Sequence, residues 1–314
     1  MRPFLLIGAL LTLAGVLQPP AVSFTIGVLR RDALIVPFAT YDGKRWQNYW
    51  PAPGNADVPL SLRDVSKGWW GPVGRRETWQ VWTPDSSQQT VKVRQPDWAP
   101  AYCQKQVGLR TDYQPRLRPP PPDASPYPKD GLAVSPPHPV EPIEVLGADS
   151  RERGDVIEAI HATLVEREDA ALQRLREAHI SNPQRFPEAP DGSALRAMPP
   201  MAVEALYAYG TTPRTYFVEA AREYKKSGAC TAMAFGVGRV IRDSGKFSVR
   251  DAQVSINACD RSGLEYMLPL GVMRLQTGVY WIAQMSGWDR EQYTIIDITP
   301  HSRTKDQVTP GGGC

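Results

Sequence analysis

Histidine is scarce, with four in the 314-residue chain, and this thins the supply of general bases and of neutral metal ligands. No C-x-x-C pair occurs, and none of the four cysteines lies near a histidine in sequence. A zinc site would need ligands gathered from far apart. G-x-S-x-G, H-E-x-x-H, a Walker-type loop and a six-residue glycine fingerprint are all missing. The local signatures of serine hydrolases, zincins and nucleotide-binding enzymes go with them. Beyond Leu17 no stretch is apolar for long enough to span a bilayer. Charge of either sign is not in excess: 36 Lys and Arg oppose 33 Asp and Glu, a net +3. With so small a surplus and no recognised binding motif, nucleic acid is a poor partner.

Apolar residues are present in quantity, 42% of the chain against 22% charged, enough for the cores of two ordinary domains. The amino terminus carries Arg2, an apolar run from Phe4 to Leu17, the Pro19-Pro20 pair and Ala21-Val22-Ser23. This order predicts a secretory signal peptide over residues 1–23 and an exported protein, periplasmic or extracellular, with no integral membrane segment after cleavage. No cysteine marks the cleavage point as that of a lipoprotein. Cys103, Cys230, Cys259 and Cys314 make an even set in an oxidising compartment, where disulfides are expected.

Eleven of the 31 prolines fall between Pro115 and Pro142, and that density predicts an extended, semi-rigid linker over 115–142. It divides a domain at 24–114 from another at 143–314. Short alternating runs rich in Val, Ile, Thr and Trp predict an all-β first domain, a small barrel or sandwich. Asp42-Gly43 predicts a two-residue hairpin loop that sets Ala39 opposite Trp46. Pro84-Asp85-Ser86-Ser87 predicts a turn between strands at 77–83 and 89–94.

The second domain opens on a helix from Arg151 to His179, with Ile157, Ile160, Leu164, Ala171, Leu175 and Ala178 on one stripe. Pro199-Pro200 and Gly210 bracket a shorter helix predicted over Met201–Tyr209. From Arg214 the apolar period becomes two. Ser-Gly and Thr-Gly turns at 227, 244, 262 and 277 then predict an antiparallel meander of about six strands covered by the long helix. The fold class expected is α+β. With Ser244-Gly245 as a two-residue loop, Met233, Phe235 and Val237 face Ile256, Val254 and Ala252 as the apolar side, and Cys230 stands across from Cys259. Tyr216, Val218, Ala220 and Tyr224 form the apolar face of the preceding strand. Cys103 and Cys314 remain to pair, Cys314 on a Gly311-Gly312-Gly313 tail read as flexible.

Chemistry is harder to find. Glu158-x-x-His161 has the spacing of di-iron helices but lacks the companion ligands such a site needs, so it reads as an exposed helical pair. Ser302-x-x-Lys305 lies in a polar tail without a helix. Gly236 and Gly238, inside a strand, mark bending or close packing. No cofactor is implied. The strongest hint is aromatic: seven of nine tryptophans lie between Trp46 and Trp98. Trp46 and Trp79 read as core, whereas Trp50, Trp69 and Trp70, in proline- and glycine-rich loops, read as ligand-binding candidates with Gln47 and Asn48 beside them. Residues 24–114 carry 12 basic against eight acidic side chains, which suits an anionic envelope polymer.

These readings converge on a non-catalytic binding protein of the envelope or secreted space, taking glycan or peptide on Trp-rich loops or meeting a protein partner. The alternative is an envelope glycan or peptide hydrolase using second-domain carboxylates. A third is a structural subunit of a surface or secretion assembly.

Overall fold

A computed structural model describes residues 22–55, 58–185, 187–191, 199–300, 302 and 306–314. All of the expected signal peptide except Val22 and Ser23 lies outside the described residues, as do Arg303 to Lys305.

Period-two alternation in the first half produces β1 (Phe24–Arg30), β2 (Leu34–Tyr41), β3 (Trp46–Gln47), β4 (Thr78–Trp82), β5 (Gln88–Ala101), β6 (Gln104–Thr111) and β7 (Lys129–Ser135). They run in the order β1-β7-β4-β5-β6-β2-β3, and a further β1–β2 pairing closes six of them into a barrel. Leu29, Ile35, Trp79, Val81, Val91, Leu109 and Ala133 draw on all six strands and cluster together, so the interior is filled by side chains. Alternate residues point outward. Ile26, Val28, Phe38, Leu132 and Val134 of β1, β2 and β7 form a second cluster with Tyr280, Ile282, Tyr293 and Ile295 from the carboxy-terminal half.

Two expectations for this half are corrected. Residues 115–142 are not simply a linker, because 129–135 form a buried barrel strand. β7 completes the closure between β1 and β4, and its apolar run Leu132-Ala133-Val134, buried on both faces, outweighs the flanking prolines. The Asp42-Gly43 loop has four residues rather than two, so Trp46 faces Tyr41 and not Ala39. Asp42 sets that length by accepting hydrogen bonds from the Lys44 and Arg45 backbone, both at 2.9 Å.

The second half adds two sheets. β8 (Glu144–Val145), β9 (Ala202–Tyr209), β10 (Arg214–Lys226), β11 (Ala229–Asp243) and β12 (Lys246–Asn257) form a five-stranded sheet in the order β12-β11-β10-β9-β8. β13 (Tyr266–Leu275), β14 (Gly278–Ser286), β15 (Arg290–Asp297) and β16 (Gln307–Gly313) form the other, in sequence order. α1 spans Arg151–Ser181. The chain is thus mostly β, 49% strand against 14% helix, built from a six-strand barrel and extra sheets. This overturns the α+β expectation of a long helix on one six-stranded meander. The meander breaks after β12, where the Ala258–Leu264 turns redirect the chain. Residues 201–209 are not a helix: β9 pairs with both β8 and β10, and the ladder overrides bracketing Pro and Gly that mark strand ends equally well.

α1 lies along β11 and β12 with Val156, Ile160, Leu164, Glu168 and Leu172 buried in one i,i+4 row. Ile157, Leu175 and Ala178 are only half-buried, so the expected stripe is rotated. Each fully buried aliphatic side chain in the row contributes about 1.5–3 kcal/mol. Glu168 is the exception; it accepts from Tyr224 Oη at 2.6 Å and lies 3.6 Å from Arg222. The Ser244-Gly245 loop has two residues, with φ of 49° and 79°. A bulge beside Arg239 then shifts the register by one. Ala234, Gly236 and Gly238, not Met233, Phe235 and Val237, therefore face Ile256, Val254 and Ala252. Met233 and Phe235 turn to the opposite face and pack on Leu264. Tyr216, Val218, Ala220 and Tyr224 do share the helix-covered core.

Both disulfides are present. Cys230 and Cys259 are joined with Cα atoms 6.2 Å apart, and Cys103 and Cys314 with Cα atoms 5.0 Å apart. The glycine tail is not loose; it forms β16, and a β-carbon on Gly312 (φ 131°) would meet that of Ala101 at 2.4 Å. Glycine is required there because the barrel wall comes so close.

Candidate functional site

The turn between β4 and β5 stands between two cavities. One, of about 490 Å³, is bounded by Arg31, Asp85, Gln88, Gln89, Tyr113, Arg116 and Asp130. The other, of about 480 Å³, is bounded by Trp82, Ile143, Val145, Tyr207, Leu268, Pro269 and Leu270. Thr83, Pro84 and Gln88 line both, so the two adjoin across this turn as the polar and apolar halves of a two-part candidate cleft, the second half lying where the barrel meets the other sheets. Each half is within the size range of ordinary ligand sites.

The polar half is built from short local bonds. Thr83 Oγ1 donates to Asp85, and Ser87 donates its backbone N–H to the same carboxylate oxygen at 3.1 Å. Arg116 completes the group with an ion pair to Asp85. These donors hold the Asp85 carboxyl well below the usual carboxylate range. On the far wall Asp130 receives Arg31 Nε at 2.9 Å and Tyr113 Oη at 3.1 Å. Of the lining cations, Arg31 pairs with Asp130, Arg116 with Asp85, and Lys129 with Glu291 behind the wall, so this half offers hydrogen bonds of both senses.

In the apolar half, Val145 is 68% exposed and Leu268 40% exposed. Leu268 lies on the outer edge strand of its sheet, and Val145 on the two-residue edge strand β8. Tyr207 is fixed by donating to the Met267 carbonyl at 3.0 Å. Glu141, at the rim, accepts from Tyr209 Oη at 2.7 Å and Arg274 Nε at 2.8 Å.

The five residues expected to bind a ligand lie elsewhere. Trp50 is 6% exposed and donates Nε1 to the Val107 carbonyl at 2.8 Å; Trp70 is 4% exposed. Trp69 is half-buried and meets Trp50 edge-on, with ring centroids 5.7 Å apart. The three rings join the barrel's apolar cluster, so Trp50 and Trp70 offer no stacking platform. A short 3-10 segment, Lys67–Val73, turns Trp70 inward. Gln47 is tied to Asp42 and Tyr49, and Asn48 accepts from the Trp50 backbone. Trp82, the tryptophan that does reach the cleft, is the last residue of β4 before a Pro-Asp-Ser-Ser turn. That position at a strand end was the available signal. The most exposed tryptophan is Trp288, at 79%, on the β14–β15 turn.

No protein-family model, curated protein or solved structure matches the chain. Among the described residues no group of three or more His, Cys, Asp or Glu is placed to hold a metal ion, and no helix is long and apolar enough to cross a membrane. The two disulfides fit a protein of an oxidising compartment, extracellular or periplasmic. Glu158 and His161 lie on α1, exposed and half-buried respectively. Burial drives the Glu219 carboxyl up to about 7, but Glu219 is 1% exposed and lines neither half of the cleft.

Proposed function

We propose that this is a non-catalytic binding protein of the cell envelope or secreted space, delivered by the signal peptide at 1–23, whose cleft takes an extended polypeptide segment. The observation that carries the reading is the adjoining of an apolar and a charge-balanced cavity at Thr83, Pro84 and Gln88. A peptide can place an apolar side chain against Trp82, Ile143 and Leu270 while its backbone and polar side chains meet Gln88, Gln89 and Asp130. A glycan fits less well, because hydroxyls opposite the aliphatic lining go without partners. Hydrolysis has less support than binding: the Asp85 carboxyl in the cleft is held ionised, unsuited to a general acid, and Glu219 lies outside it.

Tryptophan fluorescence of the mature protein, titrated in parallel with an unstructured peptide library and with peptidoglycan fragments, tests this. Saturable peptide binding is expected, abolished by Leu268→Asp and unaffected by Trp69→Ala. Binding of glycan alone, or release of a cleaved product, overturns it.

A further inference from the structure

Four polar side chains meet in the seam between the barrel and the β13–β16 sheet. Lys129, the first residue of β7, donates Nζ to Glu291 Oε2 at 3.0 Å and to the Tyr127 carbonyl at 2.8 Å. Gln284 of β14 donates Nε2 to the same Glu291 oxygen, also at 3.0 Å. Tyr293 donates to the other oxygen, Oε1, at 2.7 Å. The Lys129 and Glu291 side chains are 0% and 3% exposed, and Gln284 and Tyr293 are 1% exposed. Burial disfavours the ammonium form of Lys129 and lowers its pKa, although Glu291 opposes this. Gln284 Oε1 has no hydrogen-bond partner.

An amine, a carboxamide and a carboxylate oxygen bonded to both are the reactants and the proton carrier of a transamidation, held together away from water. A plain buried ion pair does not need a carboxamide on the same oxygen, and it carries a large desolvation cost.

We propose that Lys129 and Gln284 form an intramolecular amide crosslink, with Glu291 as the catalytic group. Lys129 Nζ attacks Gln284 Cδ; the Nζ–Cδ bond forms and the Cδ–Nε2 bond breaks. Glu291 first takes a proton from the ammonium to free the attacking amine, then a second from Nζ as the Nζ–Cδ bond forms; it passes both in turn to departing Nε2 and is regenerated as the carboxylate. Starting from the lysine ammonium, the products are a secondary amide and an ammonium ion, with no change of oxidation state. The bond ties a barrel strand to the central β14 strand of the neighbouring sheet, a covalent seam independent of either disulfide.

The test is the intact mass of the purified full chain, denatured and with disulfides reduced, after its N-terminal peptide has been assigned. The expected mass is short of the sequence mass by one ammonia. Trypsin leaves Lys129 uncut and yields one peptide joining the Lys129 and Gln284 segments. Lys129→Arg keeps the positive charge beside Glu291 but supplies no amine nucleophile, so it restores the full mass. Gln284→Ala does the same. Full mass in the wild-type protein, with trypsin cutting after Lys129, overturns the proposal without depending on any variant's folding. A deficit of one water with Lys129 joined to Glu291 also overturns it, because the acyl donor is then Glu291.

Discussion

Ile160 of α1 lies directly over Gly238 of β11: a β-carbon added to Gly238 would fall 2.3 Å from Ile160 Cδ1. The neighbouring Gly236 stands in the same relation to Leu164, at 3.0 Å. Two glycines in one strand thus let the helix sit closer than any side chain allows, with its aliphatic row filling the gaps.

Gly238→Ala forces the buried Ile160 off its rotamer and costs about 1–3 kcal/mol. Urea unfolding gives the loss. Adding Ile160→Val, which removes the clashing methyl, recovers part of it, so the double-mutant cycle shows a favourable coupling between the two sites. Additive losses would place the strain elsewhere.

Glu219 of β10 is buried against β13, accepting the Met267 N–H at 2.6 Å. Desolvation raises its pKa from 4.5 to about 7, and nearby Glu204 adds to the rise. The folded state therefore keeps a proton that the unfolded chain gives up. The stability it contributes is whole below pH 4.5 and is lost as pH climbs through 7, by a total on the order of 3 kcal/mol. Glu219→Gln keeps the acceptor and removes the titration. Melting temperatures from pH 4.5 to 8 then fall more steeply in the wild-type protein than in the variant.

Strand alternation and turn chemistry made much of the sheet structure legible, since Ser227-Gly228 and Ser244-Gly245 fix their hairpin loops locally. What they could not fix was the ladder beyond the loop. One bulge beside Arg239 exchanged which residues of β11 lie under the helix, and a bulge leaves no sequence mark comparable to Ser-Gly. Residues 201–209 misled for a related reason: Pro199-Pro200 and Gly210 bracket a segment without saying what it pairs with. The site was less legible still. Trp50 and Trp70 are loop tryptophans that close a barrel, and only the three-dimensional closure distinguishes a lid from a platform. The cleft joins residues as distant as Trp82 and Leu268, which no local pattern brings together.

The Cys230–Cys259 bond spans 29 residues and holds the ends of the β11–β12 hairpin. Replacing both cysteines by Ala frees that loop in the unfolded state, at a cost of about 3 kcal/mol. Denaturant unfolding measures it, and the far-ultraviolet β signal is retained because the β11–β12 ladder and its packing beneath α1 do not depend on the bond.

Tyr224→Phe removes the 2.6 Å hydrogen bond to Glu168, whose side chain is fully buried and whose Oε2 already has no hydrogen-bond partner. Burial raises the Glu168 pKa, while Tyr224 and then Arg222 act to lower it. Without the phenol, the carboxyl moves further up and retains its proton over a wider range. At pH 5 a larger share of Glu168 is neutral in the folded variant, so the loss is near that of one neutral hydrogen bond, about 1 kcal/mol. At pH 8 the unfolded chain is ionised, and folding must either protonate Glu168 or bury its charge without the phenol, with Arg222 at 3.6 Å and His161 left to offset it. The loss there rises to about 2–3 kcal/mol. Urea unfolding of wild type and variant at both pH values checks the difference, and Glu168→Leu on the Tyr224→Phe background removes it. An equal loss at the two pH values would mean that Glu168 does not titrate in this window and that the phenol serves packing alone.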